Sequence, residues 1–404
     1  MNRYDALYRL YDEFDADTLR EYQELADVFP AIGSRVALDQ WKEVRDELDR
    51  RKTAIRDAFP VGETFAAIAA NASREEAFTA LDLLGKYDRA VNVLVLDVDE
   101  TLRSAGRTDN EIPRETLSLL TKLHEDGMPL VICTGQTLEN VKGFITQGLG
   151  NELVHSERFS IVYEAGNGVF TPGHGSETKR LLYDDLDPEV RGMFDEIRSR
   201  VLPEAPERVH QYCHLQGNEF TVTLKPNFQT GSDRAVEVID EALVYLLDLL
   251  GDALDGATGE QVRVHYAASD PEIRGILERG PGVPDAEVPD DVRERLERLE
   301  VGYYEGDAAE LGSYELDKVA GVEAALDVLD IEEPFSLVMG DSKSDLRVME
   351  WAAAEDAGIA AAPNHASEVV LDHVLETDEL VFERDGAASM LRMVYALDRL
   401  AGLE

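Results

Sequence analysis

Apolar side chains in residues 1–88 recur at helical spacing, as in Leu7, Leu10, Tyr11 and Phe14 and again in Leu19, Tyr22, Leu25 and Val28. No strand pattern interrupts them, so this stretch is expected to be all helix. The dipeptides Phe29-Pro30 and Phe59-Pro60 read as helix stops, because proline disfavours helical backbone at the residue before it. At Val91–Leu96 the pattern changes to an apolar run broken only by Asn92, the signature of a strand buried on both faces. A helix over 113–126, a second buried strand at Met128–Cys133, a helix from Thr137 and a strand at Phe159–Tyr163 follow in βαβαβ order, which predicts a doubly wound parallel sheet.

From about 171 to 312 the pattern loosens. It predicts a helix over 187–201, a strand at Glu219–Lys225 alternating through Phe220, Val222 and Leu224, a helix over 232–250, a strand near Val262–Tyr266 and an acidic Pro/Gly loop at 280–291. Strict alternation implies a sheet with one open face. The buried α/β pattern then resumes with a helix over 318–329, a strand at Phe335–Met339, a helix over 343–354 and a short strand at Gly358–Ala361. The expected fold class is α/β: a doubly wound, Rossmann-like parallel-sheet core, an α+β segment inserted into it and an all-helical N-terminal segment. The expected divisions are 1–88 (helical), 89–170 (core, first part), 171–312 (insertion) and 313–404 (core, second part). Glycines in Thr171–Gly175 and in the expected turn Glu310–Ser313 are candidate hinges for a mobile insertion.

Charge changes the picture of the surroundings more than of the fold. The 404 residues carry 83 Asp and Glu against 39 Lys and Arg, a net charge of −44. Such a surface argues against a nucleic-acid partner, and its even spread along the chain fits a proteome adapted to high internal salt. Cys133 and Cys213 are the only cysteines, too few for a disulfide framework, so a reducing cytoplasm is expected. No apolar stretch approaches a membrane span, so no membrane association is expected. The oligomeric state is not legible.

In open α/β sheets ligands collect beyond the carboxyl ends of the strands. The first buried strand ends in Asp97-Val98-Asp99-Glu100-Thr101 and the second in Thr134-Gly135. Lys318 heads the helix after the insertion, and a later strand ends in Gly340-Asp341-Ser342-Lys343-Ser344-Asp345. Each alone is a cap or a turn; together, in this order, they describe a site. Lys225 and Asn227, with Arg263 and His265, are candidates for reaching a sugar or second anion from the insertion. Cys133, inside a buried strand, reads as core packing.

These four passages resemble the signature of the haloacid dehalogenase superfamily of phosphohydrolases over about 91–375: Asp-x-Asp-x-Thr, Ser/Thr, Lys and Gly-Asp-x-x-x-Asp. The insertion point resembles the branch with a large α/β (C2-type) cap, which contains sucrose-phosphate, mannosyl-phosphoglycerate and trehalose-phosphate phosphatases. Glu164-Ala165-Gly166-Asn167-Gly168 and Ala362-Pro363-Asn364-His365-Ala366 are similar to further loops of that branch. Glu100 and Val319 stand where many relatives have glycine. The resemblance implies Asp97 as nucleophile, Asp99 as general acid then base, Thr134 on a phosphoryl oxygen and Lys318 offsetting transition-state charge. It implies Mg²⁺ on Asp97, Asp341 and the carbonyl of Asp99, with Asp345 supporting the sphere directly or through water. The implied substrate is a small soluble phosphate ester, most plausibly a sugar phosphate. A phosphosugar mutase on the same core, or a regulatory protein binding a partner through its N-terminal helices, are the alternatives.

Overall fold

The computed structural model describes residues 2–28, 35–103 and 111–403. The N-terminal segment forms five helices: α1 (Arg3–Glu13), α2 (Ala16–Val28), α3 (Arg35–Ala58), α4 (Gly62–Asn71) and α5 (Arg74–Tyr87). α3 stops immediately before Phe59-Pro60, as expected; the Phe29-Pro30 stop lies outside the described residues. Ser73 and Glu76 cap α5 reciprocally, each side chain bonding the other's backbone N–H.

The core continues with β1 (Val93–Leu96), α6 (Arg114–Glu125), β2 (Leu130–Cys133), α7 (Leu138–Val154), β3 (Phe159–Tyr163), β4 (Gly168–Phe170) and β5 (Arg180–Leu181). The chain then enters α8 (Pro188–Arg200), α9 (Glu207–Tyr212), β6 (Cys213–Leu215), β7 (Val222–Pro226), α10 (Ser232–Ala253), α11 (Gly259–Ser269), α12 (Pro271–Arg279), α13 (Asp290–Leu296), β8 (Leu299–Tyr304) and β9 (Ala308–Ser313). It returns through α14 (Lys318–Val328), β10 (Ser336–Met339), α15 (Lys343–Ala354), β11 (Gly358–Pro363), α16 (Glu368–Glu376), β12 (Leu380–Phe382) and α17 (Ala387–Ala401).

Eight strands form one sheet in the order β12-β11-β10-β1-β2-β3-β4-β5, parallel from β12 to β3 and antiparallel beyond. The sheet therefore runs on to Leu181, past the division expected at 170, because β4 and β5 fold back onto the edge of β3. Side-chain alternation explains the unbroken apolar strands. Leu94 and Leu96 of β1 pack in one cluster with α1–α7 and α17, while Val93 and Val95 pack in the other with α14–α16 and the insertion.

The inserted segment contributes an antiparallel sheet, β6-β7-β9-β8. Val222 and Leu224 of β7, with Val301 and Leu311, are buried among α8 and α10; Thr221, Thr223 and Lys225 take the other face and line a cavity, but Thr221 and Thr223 are also buried, so this face is covered along most of β7, where the alternation predicted an open one. One element differs in kind. The strand expected near Val262–Tyr266 is helix α11, entered through a capping box of Thr258 and Gln261. Val262 and Tyr266 are both buried and lie four apart, one helical turn, so the apparent period of two was a fragment of a period of 3.6. The expected hinges also differ. Gly312 lies within β9, and a Cβ on Gly173 would sit 1.9 Å from the carbonyl oxygen of Ser156, so that glycine serves close packing.

Candidate active site

Asp97 leaves β1 while its N–H still bonds Met339 of β10 at 2.9 Å, so the ladder itself aims the carboxylate over the sheet end. The chain then turns tightly, with Glu100 in the left-handed region at φ 59° and the N–H groups of Leu102 and Arg103 bonding Val98. Glycine would adopt this backbone more readily. Here the Glu100 carboxylate reaches His365 (3.2 Å) and Arg384 (3.9 Å), contacts that tie the turn to the C-terminal part of the core.

Asp317 caps α14 by accepting from Ala320 N–H at 3.0 Å, which sets Lys318 as the first helical residue. Lys318 is 2% exposed, and its Nζ donates to Asp97 Oδ1 (2.8 Å) and Asp345 Oδ1 (2.6 Å). Asp345 is likewise buried; its second oxygen accepts from the Ser342 hydroxyl (2.6 Å) and from the N–H groups of Ser342 (3.1 Å) and Asp341 (3.3 Å). It thus links the lysine to the loop carrying Asp341. Burial pulls the Lys318 ammonium towards neutrality, but Asp345 and Asp97 outweigh this and hold it charged. Burial pushes the Asp97 carboxyl up, with Lys318 opposing, and pushes Asp341 up to about 7.

Asp97, Asp341 and Asp345 each offer an oxygen within 4.8 Å of the others. Three carboxylates around one ammonium leave surplus negative charge, and an all-oxygen donor set suits a hard divalent cation. The residues present therefore fit such an ion.

The Asp99 side chain stands apart from this cluster. It accepts from Arg103 at 2.7 Å and from Gln136 Nε2 at 2.5 Å. Thr134 is buried at the end of β2; its hydroxyl oxygen accepts from Gln136 N–H at 3.2 Å and its carbonyl from Ala165 N–H at 3.0 Å. Asp97, Asp99, Thr134 and Asp341 thus follow neighbouring strand ends, Lys318 heads α14 and Asp345 lies in the first turn of α15, with Asp97, Lys318, Asp341 and Asp345 in one cluster. Arg103, Gln136 and Glu164 were missed. The first two had a signal in their positions, four residues after Asp99 and two after Thr134 on the same loops. Glu164 was noted only within its motif. It is 2% exposed, accepts from Glu219 N–H of the inserted segment at 2.7 Å and is pushed by burial up to about 7.

A cavity of about 640 Å³ opens between the strand ends and the polar face of β7 and β9. Lys225 lines it, paired with Asp307 at 3.1 Å. The other residues expected to reach it from the insertion are placed elsewhere. Asn227 donates to the Gln211 carbonyl, Arg263 on α11 pairs with Asp248, and His265 is on the same helix, stacked edge-on to Tyr266. Lys343 pairs with Glu272 of α12 at 2.5 Å, bridging core and insertion. Burial pushes the Cys133 thiol up, consistent with packing alone.

Residues 94–190 match the family model described as haloacid dehalogenase-like hydrolase. Among curated proteins none matches the chain. Similar solved structures include the sucrose-phosphatase of Synechocystis sp. PCC6803, solved with sucrose and phosphate, at 13% identity over 77% of this chain and 99% of that one (TM-score 0.44). A phosphatase of the haloalkanoate enzyme superfamily from Bacteroides thetaiotaomicron is 17% identical over 77% of this chain and 96% of its own (TM-score 0.43). A Thermoplasma acidophilum protein is 13% identical over 76% and 100% (TM-score 0.44).

Proposed function

We propose that the chain, whose residues 94–190 match the haloacid dehalogenase-like hydrolase model, is a Mg²⁺-dependent phosphomonoesterase acting through an aspartyl-phosphate on a small soluble ester, most plausibly a sugar phosphate. The observation that carries this is the buried Asp97–Lys318–Asp345 chain beside Asp341, facing a cavity wide enough for an ester. Asp97 attacks phosphorus, the P–O bond to the leaving group breaks, and Asp99 supplies the proton the departing oxygen needs. Water then attacks the aspartyl-phosphate, Asp99 takes its proton, and inorganic phosphate leaves with Asp97 restored. Gln136 and Arg103 hold the Asp99 carboxylate at the cavity wall through both steps. Lys318 offsets charge on the transferring group, and Thr134 at the neighbouring strand end is assigned a phosphoryl oxygen. Mg²⁺ on Asp97, Asp341 and the Asp99 carbonyl, supported by Asp345, would neutralise charge shared between carboxylate and phosphate.

The reading extends to setting. Among the described residues no helix is long and apolar enough to cross a membrane, and both cysteines are free and buried, which supports a reducing cytoplasm. We take about 1–88, 89–170 with the β4–β5 extension, the insertion ending near 312, and 313–404 as the functional divisions.

The test is phosphate release from a panel of phosphate esters. Activity should vanish with EDTA, return with Mg²⁺ and fail with Ca²⁺, whose shell is larger and looser. Asp97→Asn should lower turnover by several decades with the fold intact, and retention of more than about a tenth of activity would exclude the covalent route. Isomer formation without phosphate release would instead identify a mutase.

A further inference from the structure

We infer that the inserted segment selects esters whose only anionic group is the phosphate being removed, with a neutral, hydroxyl-rich leaving group, and that Asp307 and Glu310 are the residues that reject a second anion. This rests on the phosphohydrolase reading above. From the insertion, three carboxylates line the cavity, those of Glu300, Asp307 and Glu310, against one ammonium, that of Lys225, and the imidazole of His214 opposite it on β6.

Each lysine and arginine lining the cavity already carries a carboxylate. Lys225 is held by Asp307 at 3.1 Å, Arg347 of the core by Glu300 at 2.5 Å and 3.1 Å, Arg103 by Asp99 at 2.7 Å, and Lys318 by Asp97 and Asp345. A second phosphate or carboxylate on the substrate would have to displace one of these partners and then sit beside the carboxylate it displaced. Such like-charge contact costs most beside the half-buried Glu300 and Glu310 and less at the more exposed Lys225–Asp307 pair, and the surplus of acid over base on this wall supplies no compensation.

Hydroxyl groups meet the opposite situation. Glu310 accepts from the Thr223 hydroxyl at 2.5 Å, and Thr223 accepts from Asn218 at 3.0 Å, with Gln216 donating to Asn218 at 2.8 Å. This is a connected row of acceptors, amides and a hydroxyl on the polar sheet face, the groups that exchange hydrogen bonds with a polyol without a change of charge. The strand period puts the row there, since Thr223 and Lys225, which line the cavity, alternate with Val222 and Leu224, which pack into the apolar core of the insertion.

The experiment measures kcat/KM with Mg²⁺, at one fixed salt concentration, for phenyl phosphate, a hexose monophosphate, the corresponding hexose bisphosphate and phosphoglycerate. The hexose monophosphate should exceed both doubly anionic esters by at least about tenfold, mainly through KM. In the double variant Asp307→Asn, Glu310→Gln, whose side chains keep their size, that ratio should narrow by several-fold because KM for the bisphosphate falls. Equal use of mono- and bisphosphate by the wild type, or an unchanged ratio in the double variant, overturns the inference while leaving the hydrolase standing. No turnover even of phenyl phosphate, which needs only the reaction centre, overturns the hydrolase reading and this inference with it.

Discussion

Gly166 and Gly340 shape the candidate site by lacking a side chain. Gly166 has φ 102°, and a Cβ there would lie 1.8 Å from the carbonyl oxygen of Asp317, the cap that positions Lys318. Gly166→Ala should cost about 2 kcal/mol or more from strain and overlap, and lower kcat by displacing Lys318; urea titration and steady-state kinetics check both. Gly340 lies so close to Asp345 that a Cβ would come within 2.3 Å of its side chain. Glu164 belongs to the same scale. Burial pushes its carboxyl up to about 7, above the ordinary glutamate value. Between the two values the folded state binds the extra proton, so this residue's contribution to stability is present at low pH and is lost as pH rises through about 7. Glu164→Gln removes the titration, so the fall in melting temperature from about pH 5.5 to about pH 8 should be smaller in the variant than in the wild type. An unchanged pH slope would show that the side chain titrates elsewhere.

Among the elements, α17 carries the attachment of the N-terminal helices. Arg392, itself largely buried, projects from it towards three acids, bonding the half-exposed Glu24 of α2 and Glu115 of α6, with the more buried Glu76 of α5 at 4.0 Å. Replacing it with methionine keeps the bulk but removes the partner of two half-exposed carboxylates and one more buried one, so Arg392→Met should destabilise the protein by about 1–2 kcal/mol, read from the midpoint of chemical unfolding. A shift under about 0.5 kcal/mol would mean the acids find other partners or protonate without cost. The element types were mostly legible, because buried parallel strands and amphipathic helices differ in period. α11 was misread because Val262, Val264 and Tyr266 repeat every second residue, which over so few positions does not separate the two periods.

For the molecule as a whole, a net charge of −44 makes the folded chain repel itself. Raising KCl from about 0.1 M to about 1 M shortens the Debye length from ~10 Å to ~3 Å and screens that repulsion. It also weakens exposed pairs such as Arg208–Glu237, but these contribute little each, and the uncompensated acids outnumber them. The melting temperature should therefore rise with KCl; a flat or falling curve would refute adaptation to high salt. At this scale the cavity also takes its character, since its two walls come from sequence segments more than a hundred residues apart, such as Asp97 and Thr223.

Local chemistry was enough to nominate Asp97, Asp99, Thr134, Lys318, Asp341 and Asp345 as candidates, because each lies just beyond a buried apolar strand or in the first turn of a helix, and strand ends in such a sheet converge by construction. The α/β class, the insertion and the alternation of β7 follow from the same periodicities. Partner choice did not. That Lys318 bridges Asp97 and Asp345, that Asp99 leans on Arg103 and Gln136, and that Lys225 serves the cavity while Arg263 serves α10, depend on which elements the fold brings side by side. Periodicity reports which face of an element is buried; what lies against that face is decided by tertiary packing.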